Sequence, residues 1–140
     1  MPSSCTLSPT APPSRSNAEG RGALLELGGA ELARARRYGR ELGLVTVALA
    51  DGAADRALGF EVVEAVLRTG PDRAIEIEDG LVAALLPETP LSGAIHVAER
   101  MQRRLREAGL AARVGFAALD RQDARFVDML ARATAMAMPR

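Results

Sequence analysis

Four short stretches of the chain carry the apolar pattern of β-strands. Leu44 to Ala50 and Leu81 to Leu86 are apolar at almost every position, which is typical of strands that are covered on both faces. Arg73 to Glu78 alternates between apolar and acidic residues, and Ala112 to Leu119 carries an arginine on its polar side, so each has one wet face. We predict that Leu44 to Ala50 and Leu81 to Leu86 are the central strands of a sheet. The other two stretches are predicted to be its edge strands.

The second and third of these strands in chain order are predicted to form a hairpin. Asp79-Gly80 lies between two apolar runs, and Asp-Gly is the strongest short-range hairpin signal, because both turn positions take positive φ and glycine does so without steric cost. Pro87 should end the third strand, since proline cannot donate to the ladder.

Four helices are predicted around the strands, over Arg21 to Leu42, Asp55 to Leu67, Pro90 to Ala108, and from about Asp123 onwards. Thr89 is the expected N-cap of the third helix, and Gly109 follows it as the residue that turns the chain away. Gly28-Gly29 weakens the first helix and leaves open its division into two pieces. The residues expected to face the core are Leu24, Leu25, Leu27, Leu32, Ala35, Leu58, Val62, Ala65, Val66, Leu91, Ala94, Ile95, Ala98, Met101, Leu105, Ala108, Val114, Phe116, Ala118, Phe126, Met129, Leu130, Ala133, Met136, Ala137 and Met138.

The order of these elements indicates the fold. After the first helix it runs strand, helix, strand, strand, helix, strand, which is the ferredoxin-like split βαβ pattern. We therefore predict an α/β protein of the α+β sandwich type, with an antiparallel βαββαβ sheet and an extra N-terminal helix. In that fold the first and third strands are central, in agreement with their apolar character.

The chain has 140 residues, enough for one domain with a substantial core. Residues 1–20 are rich in Ser, Pro and Thr and are predicted to be a disordered tail or linker, so the domain is expected to span residues 21–140. The single Cys5 permits no internal disulfide. No apolar run approaches the roughly 20 residues of a membrane helix, and the N-terminus lacks the apolar core of a signal peptide. We expect a cytoplasmic protein.

Charge excludes one broad class of function and leaves one local question open. Lys+Arg and Asp+Glu both number 18, and a zero formal net charge argues against a general nucleic-acid or anionic-membrane binder. The basic run of Arg34, Arg36, Arg37 and Arg40 is either a phosphate-binding patch or a solvated helix face, and we favour the solvated face because no aromatic platform accompanies it. His96 is expected to be a surface residue.

Several stretches in order along the chain resemble the GGDEF family, the diguanylate cyclases that make cyclic di-GMP from two GTP molecules. The resemblance runs from about Arg21 to Met138 and depends on the order and spacing of its pieces. The stretches are Glu31 to Leu42 (ELARARRYGREL), Leu44 to Ala50 (LVTVALA), Glu78 to Thr89 (EDGLVAALLPET), Gly93 to Leu105 (GAIHVAERMQRRL), Val114 to Ala117 (VGFA) and Asp128 to Met138 (DMLARATAMAM).

The signature hairpin of that family departs from its pattern here. Active members carry Gly-Gly-Asp/Glu-Glu-Phe, whose backbone approaches the nucleotide and whose carboxylates hold Mg²⁺. The corresponding residues of this chain are Glu78, Asp79, Gly80, Leu81 and Val82. The glycine pair is missing, and the fourth position is aliphatic, whereas a hard cation takes oxygen ligands.

The metal-binding end of the first strand departs as well. An active member has Asp-x-Asp there, and the resemblance places Ala48 and Ala50 at those positions. Asp51 is one residue further on, so its side chain is expected on the other face of the strand. The nucleotide-binding segment that follows in active enzymes is absent, and no Lys is present to hold phosphates. Two-metal phosphoryl transfer then lacks its metal ligands.

Active members often also carry an Arg-x-x-Asp product site before the hairpin. Here Arg68 and Asp72 are the corresponding pair, with Arg68 one residue too early. The alternative interpretation, which we favour, is a helix end and a turn aspartate with no ligand.

We therefore predict a catalytically inactive GGDEF-like domain, with no catalytic residue, no metal site and no cofactor, that acts as a regulatory or protein-interaction module in bacterial signalling. The expected partner is another protein or a second copy of the chain, and neither nucleic acid nor a membrane is expected to bind. The alternative is a receptor that binds cyclic di-GMP or GTP without turnover. An unrelated enzyme would need a catalytic constellation that the sequence does not suggest, and an RNA-binding module would need stacking aromatics on its edge strands.

Overall fold

The structure is a computed structural model that describes residues 13–50 and 52–138, with the side chains described from Glu19 onward and Ala53 described by its backbone alone. Its elements confirm the predicted order of one helix followed by strand, helix, strand, strand, helix, strand and a closing helix. They are α1 (Pro13–Tyr38), β1 (Leu42–Leu49), α2 (Ala53–Val66), β2 (Arg73–Glu78), β3 (Leu81–Pro87), α3 (Leu91–Glu107), β4 (Ala112–Ala118) and α4 (Phe126–Ala137).

The four strands form one antiparallel sheet in the order β2-β3-β1-β4. The prediction that the first and third strands are central is confirmed, because β1 and β3 each have a neighbour on both sides. Every residue of β3 is buried, and so are the first six of β1. Continuous apolar sequence in these strands therefore corresponds to cover on both faces of the sheet.

A layer of two helices covers each face of the sheet. α1 and α4 pack on the face that carries Leu44 and Leu85, and α2 and α3 pack on the face that carries Val45 and Val82. The result is an α+β sandwich with two apolar cores separated by the sheet. The fully buried large side chains at its centre are Leu24, Leu42, Leu44, Ile77, Leu85, Leu86, Met101, Leu105, Met129, Val45, Val47 and Val63.

The first helix is longer than predicted and is not divided. α1 begins at Pro13, eight residues before the predicted start at Arg21, and it ends at Tyr38. The domain boundary at residue 20 stays a prediction. The helix also continues through Gly28-Gly29, since α4 packs against it at Gly28, where an added Cβ would overlap the ring of Phe126. Contacts between distant elements therefore override the low helix propensity of glycine. Residues 1–12 and the predicted Cys5 thiol lie outside the described residues.

Several expected core positions proved wrong because periodicity locates a face without fixing its edges. Leu25, Leu58, Leu91, Met136 and Met138 are 38% to 49% exposed, and Ala65 and Ala108 are exposed as well. The second helix buries Val66, as predicted, and Val63, which was not predicted, against the sheet and α3. On β4 both faces are covered, and Ala117 is the most deeply buried apolar residue, on the face opposite Val114 and Phe116.

The start of α3 also differs from the prediction. Thr89 was expected to cap the helix, but the N-cap residue is Pro90 and no side chain caps it. Glu88 has φ 56, which turns the chain so that the Thr89 hydroxyl points back and donates to the Pro87 carbonyl at 3.1 Å. At the other end, Gly109 has φ 77, as its predicted position after the helix requires.

Two adjacent glycines of α1 provide a matched test of the packing between α1 and α4. We expect Gly28→Ala to lower the free energy of unfolding by about 1–3 kcal/mol, because the new methyl group overlaps Phe126. We expect Gly29→Ala to raise it by about 0.5–1 kcal/mol, because its Cβ would meet nothing within 4 Å and alanine favours the helix. Urea denaturation of both variants checks this. Equal effects at the two positions would contradict the packing.

Candidate functional site

The signature hairpin lies against the end of β1. Ala48 of β1 pairs with Leu81 of β3 across the sheet, and the Leu49 amide donates to the Gly80 carbonyl at 2.6 Å. A Cβ on Gly80 would approach the Leu49 carbonyl to 3.0 Å. The topology thus brings together the two segments that the resemblance assigns to metal and nucleotide binding.

The turn joins the strands at Asp79-Gly80 as predicted, but its backbone conformation differs from the prediction. Gly80 has φ 79, but Asp79 does not have positive φ, so the expectation of positive φ at both turn positions is wrong. The register shifts between Glu76 and Glu78, which leaves Ile77 as an extra residue on β2. Such a bulge changes the local twist, so that a mirror-image turn is not needed to join the strands. The Gly80 amide also donates to Glu76 Oε2 at 3.3 Å.

The other hairpin residues, Glu78, Leu81 and Val82, make contacts with the rest of the fold. The carboxylate of Glu78 lies 3.1 Å from the guanidinium of Arg21 in α1, and both side chains are about half exposed. Leu81 is 2% exposed and belongs to the core on the α1 and α4 face, whereas Val82 is fully buried on the opposite face. The two residues that follow the turn are therefore interior parts of β3, one in each core.

An open depression of about 530 Å³ lies at the same end of the sheet, between the ends of β1 and β4. Its described lining is apolar apart from Arg113, and it includes Ala48 and Ala50, the two residues at which the resemblance implies metal ligands. The lining residues are Ala48, Leu49, Ala50, Ala111, Ala112, Arg113, Ala137 and Met138. Within residues 13–50 and 52–138, no three His, Cys, Asp or Glu side chains are grouped so that they could hold a metal ion. Asp51 lies outside the described residues.

Arg68 and Asp72, the candidate dinucleotide pair, bind each other. Arg68 donates through Nε and a terminal nitrogen to the Asp72 carboxylate, at 3.1 and 2.8 Å, and its backbone amide donates to the same group at 2.8 Å. The Asp72 side chain is 3% exposed, whereas that of Arg68 is 54% exposed. The hydrogen bond to Asp72 raises the pKa of Arg68, and burial offsets part of that effect.

The same guanidinium joins this loop to the end of β3. It donates to the Pro87 carbonyl at 2.9 Å and to the Thr89 hydroxyl at 3.1 Å. The loop between α2 and β2 is thereby fixed to the chain segment before α3. This arrangement agrees with the structural interpretation of the pair, although the exposed edge of Arg68 remains accessible.

The basic run at the C-terminal end of α1, which continues to Arg40 beyond the helix, is largely engaged in contacts within the protein. Arg34 and Arg40 lie 3.9 and 2.7 Å from the carboxylates of Glu31 and Glu88, and Arg36 donates to the Asp123 carbonyl. These partners favour the solvated-face interpretation over a phosphate patch. His96, as expected, is exposed on α3.

One buried charge was missed from the sequence. Asp123 is 3% exposed and precedes α4; its carboxylate accepts from the Asp120 amide at 2.8 Å and from Arg132 at 2.9 Å. The spacing of nine residues between Asp123 and Arg132 fits no local helix rule, so the sequence carried no signal for this pair beyond a polar residue near a helix start.

No protein-family model and no curated protein matches the sequence. Solved structures do match. The active GGEEF domain of a diguanylate cyclase from Vibrio cholerae superposes with a TM-score of 0.76 at 18% identity, over 83% of this chain and 86% of that chain. The chain has the fold of a GGDEF domain.

Two further GGDEF-fold structures agree. A diguanylate cyclase from Thermotoga maritima has a TM-score of 0.73 at 13% identity, over 84% of this chain and 94% of that chain. The diguanylate cyclase SiaD of Pseudomonas aeruginosa, solved in complex with its activator SiaC, has a TM-score of 0.71 at 23% identity, over 83% of this chain and 52% of that chain. At these identities the comparisons show a shared GGDEF fold.

None of the described helices is long and apolar enough to cross a membrane.

The structural role of Arg68 has a direct test. We expect Arg68→Ala to lower the free energy of unfolding by about 1–3 kcal/mol, because the buried Asp72 carboxylate loses its charged donor. Arg68→Lys should recover only part of this loss, since an ammonium cannot make the forked contact. Arg103→Ala, at an exposed position of α3, is the control and should stay within about 0.5 kcal/mol of the parent. Urea denaturation measures all three, and an Arg68→Ala variant as stable as the control would refute the role.

Proposed function

We propose that this protein is a catalytically inactive domain of the GGDEF fold that acts through protein contacts in bacterial signalling. The observation that carries the proposal is the pairing of Ala48 with Leu81. By the resemblance, both positions carry metal-ligating carboxylates in active members. Here an alanine and a fully packed leucine stand side by side, so the position is occupied by apolar contacts of the core.

The burial of the hairpin strengthens this proposal. Phosphoryl transfer in this family depends on metal ions that neutralise developing charge, and each ion needs hard oxygen ligands. Leu81 and Val82 offer no side-chain oxygen and are enclosed in the two cores. Placing a carboxylate at Leu81 would put a charge in an apolar interior, at a cost that pairing would have to offset. The site is thus better suited to stabilising the fold than to holding a nucleotide.

Regulation by a protein partner has a precedent in a protein that contains this fold, because the diguanylate cyclase SiaD was solved in complex with its activator SiaC. That complex belongs to SiaD, of which the matched part is 52% of the chain, and it supports another protein as the kind of partner proposed for this chain. For this chain, the open depression beside β4 and the exposed apolar residues Leu91, Met136 and Met138 are the candidate contact region.

Binding of cyclic di-GMP or GTP without turnover is the second candidate. It is favoured by the half-exposed guanidinium of Arg68 and by a GGDEF domain of Caulobacter crescentus that was solved in complex with cyclic di-GMP. Against it, the carboxylate and guanidinium of the pair already satisfy each other. A ligand would have to compete with that internal contact.

An activity assay tests the first proposal. We expect the purified chain, incubated with GTP and Mg²⁺ or Mn²⁺, to form no cyclic di-GMP under conditions in which an active diguanylate cyclase does so. Product formation that scales with the amount of this chain and follows it through a second purification step would overturn the proposal.

A thermal melt separates the two candidates. A ligand at 100 times its Kd adds about 2.7 kcal/mol to the stability of its receptor, which moves the melting temperature of a domain of this size by several degrees. We expect no shift with GTP and Mg²⁺ or with cyclic di-GMP. A shift with cyclic di-GMP that Arg68→Ala abolishes and Arg103→Ala retains would replace the first proposal by the receptor function.

A further inference from the structure

The two edges of the sheet differ in how they are protected. On β2 the register is irregular, and Arg73, Glu76 and Glu78 place charges along the strand. Bulges and charges of this kind keep edge strands from pairing with other chains. β4 has neither feature in comparable measure: it pairs with β1 in a regular register along its whole length, and Arg113 is its one charged residue.

The free hydrogen-bonding groups of β4 can be assigned from its pairing with β1. The Leu119 amide donates to the Leu42 carbonyl at 2.8 Å, and the Ala50 amide donates to the Ala111 carbonyl at 3.1 Å. In an antiparallel ladder every second residue bonds to a given neighbour. The odd-numbered residues from 111 to 119 therefore bond to β1, and residues 112, 114, 116 and 118 direct their amides and carbonyls outward.

Among the residues that the structure describes, side chains bond to this outward row at its two ends. Gln102 donates to the Ala112 carbonyl at 3.2 Å, and Arg132 donates to the Ala118 carbonyl at 2.8 Å. Between them, Val114 and Phe116 present the central part of the edge, with Gly115 at the middle of the strand.

Apolar surface accompanies this edge on both sides. The depression of about 530 Å³ described above adjoins one end of β4, and a second of about 770 Å³, lined in part by Leu91, Phe116 and Met136, adjoins the other. Leu91 and Met136 are 49% and 46% exposed. The Cβ of Met136 would lie 2.9 Å from a Cβ built on Gly115, so Met136 stands beside the middle of the strand.

The charges at the two ends of the edge are opposite. The first depression has Arg113 as the one charged residue of its described lining. The second has Glu41, Asp120 and Arg132, and the Arg132 guanidinium is already paired with the buried Asp123. One end of the edge is therefore basic and the other acidic. When two copies of β4 run antiparallel, the basic end of each copy lies beside the acidic end of the other.

We propose that β4 is a self-association edge, at which a second copy of this chain pairs antiparallel about a two-fold axis at Gly115. Val114 then lies opposite Phe116 of the second copy, and the outward amides and carbonyls of both strands are satisfied in one continuous sheet. Met136 meets its symmetry mate across the axis, and the Arg113 end of each copy faces the Asp120 end of the other. This inference rests on the proposed interaction function and names the partner for it.

The test is the oligomeric state of the full chain, measured by light scattering coupled to size exclusion and by sedimentation, over a roughly hundredfold range of concentration. We expect a dimer that dissociates on dilution. Met136→Glu, which places two carboxylates at the axis, should weaken association at least about tenfold. Val127→Glu is the matched control: Val127 is also exposed on α4, nine positions away and on the opposite side of the helix, and its dimer should persist.

Hydrogen exchange identifies the surface. The amides of Val114 and Phe116 should exchange slowly at high protein concentration and fast on dilution or in Met136→Glu. A monomer at every concentration would overturn the inference, and so would a dimer that Met136→Glu leaves intact and whose Val114 amide exchanges fast. The readout is independent of nucleotide chemistry, so a chain that made cyclic di-GMP would refute the proposed function and leave this dimer standing.

Discussion

The pairing of β1 with β3 is the contact on which the rest of the structure depends. Both strands are apolar on both faces, so each supplies side chains to the two cores at once. The helices pack where those side chains are, and the outer strands pair with the remaining edges of the two. The same pairing carries Ala48 to Leu81. The end of β1 and the start of β3 therefore continue the apolar contacts of the central strands.

Two arginine-centred contacts fix the loops around the central strands. Arg68 joins the loop before β2 to the end of β3, and Arg132 and Arg36 hold the segment before α4 through Asp123. In both places a nearly buried carboxylate is paired and hydrogen-bonded, which is the condition under which a buried charge is tolerated. Arg68 and Asp72, which resemble a ligand site in the sequence, thus connect two loops of the protein.

The strand order and the central position of β1 and β3 could be predicted because apolar runs and an Asp-Gly turn are local signals with a direct physical cause. What could not be predicted depends on contacts between distant elements. Gly28 remains helical because Phe126 needs the space of a missing side chain, and Thr89 leaves its capping role because Glu88 reverses the chain. The bulge at Ile77, which changed the turn at Asp79, has no marker in the sequence. Of the candidate site, the apolar residues Ala48, Leu81 and Val82 could be located from the sequence, whereas the contact between Arg68 and Asp72 required the fold.

We infer that the end of β1 and the hairpin pack together through apolar residues and bind no metal ion. Amide NMR spectra of the ¹⁵N-labelled chain with and without Mn²⁺ and GTP test it most directly, because Mn²⁺ prefers the same oxygen ligands as Mg²⁺ and broadens the signals of nearby amides. We expect the amides of Ala48, Gly80 and Leu81 to broaden no more than those of exposed residues on α3. Selective broadening of these three amides would refute this, since a metal ion would then be bound beside residues whose side chains offer no ligand.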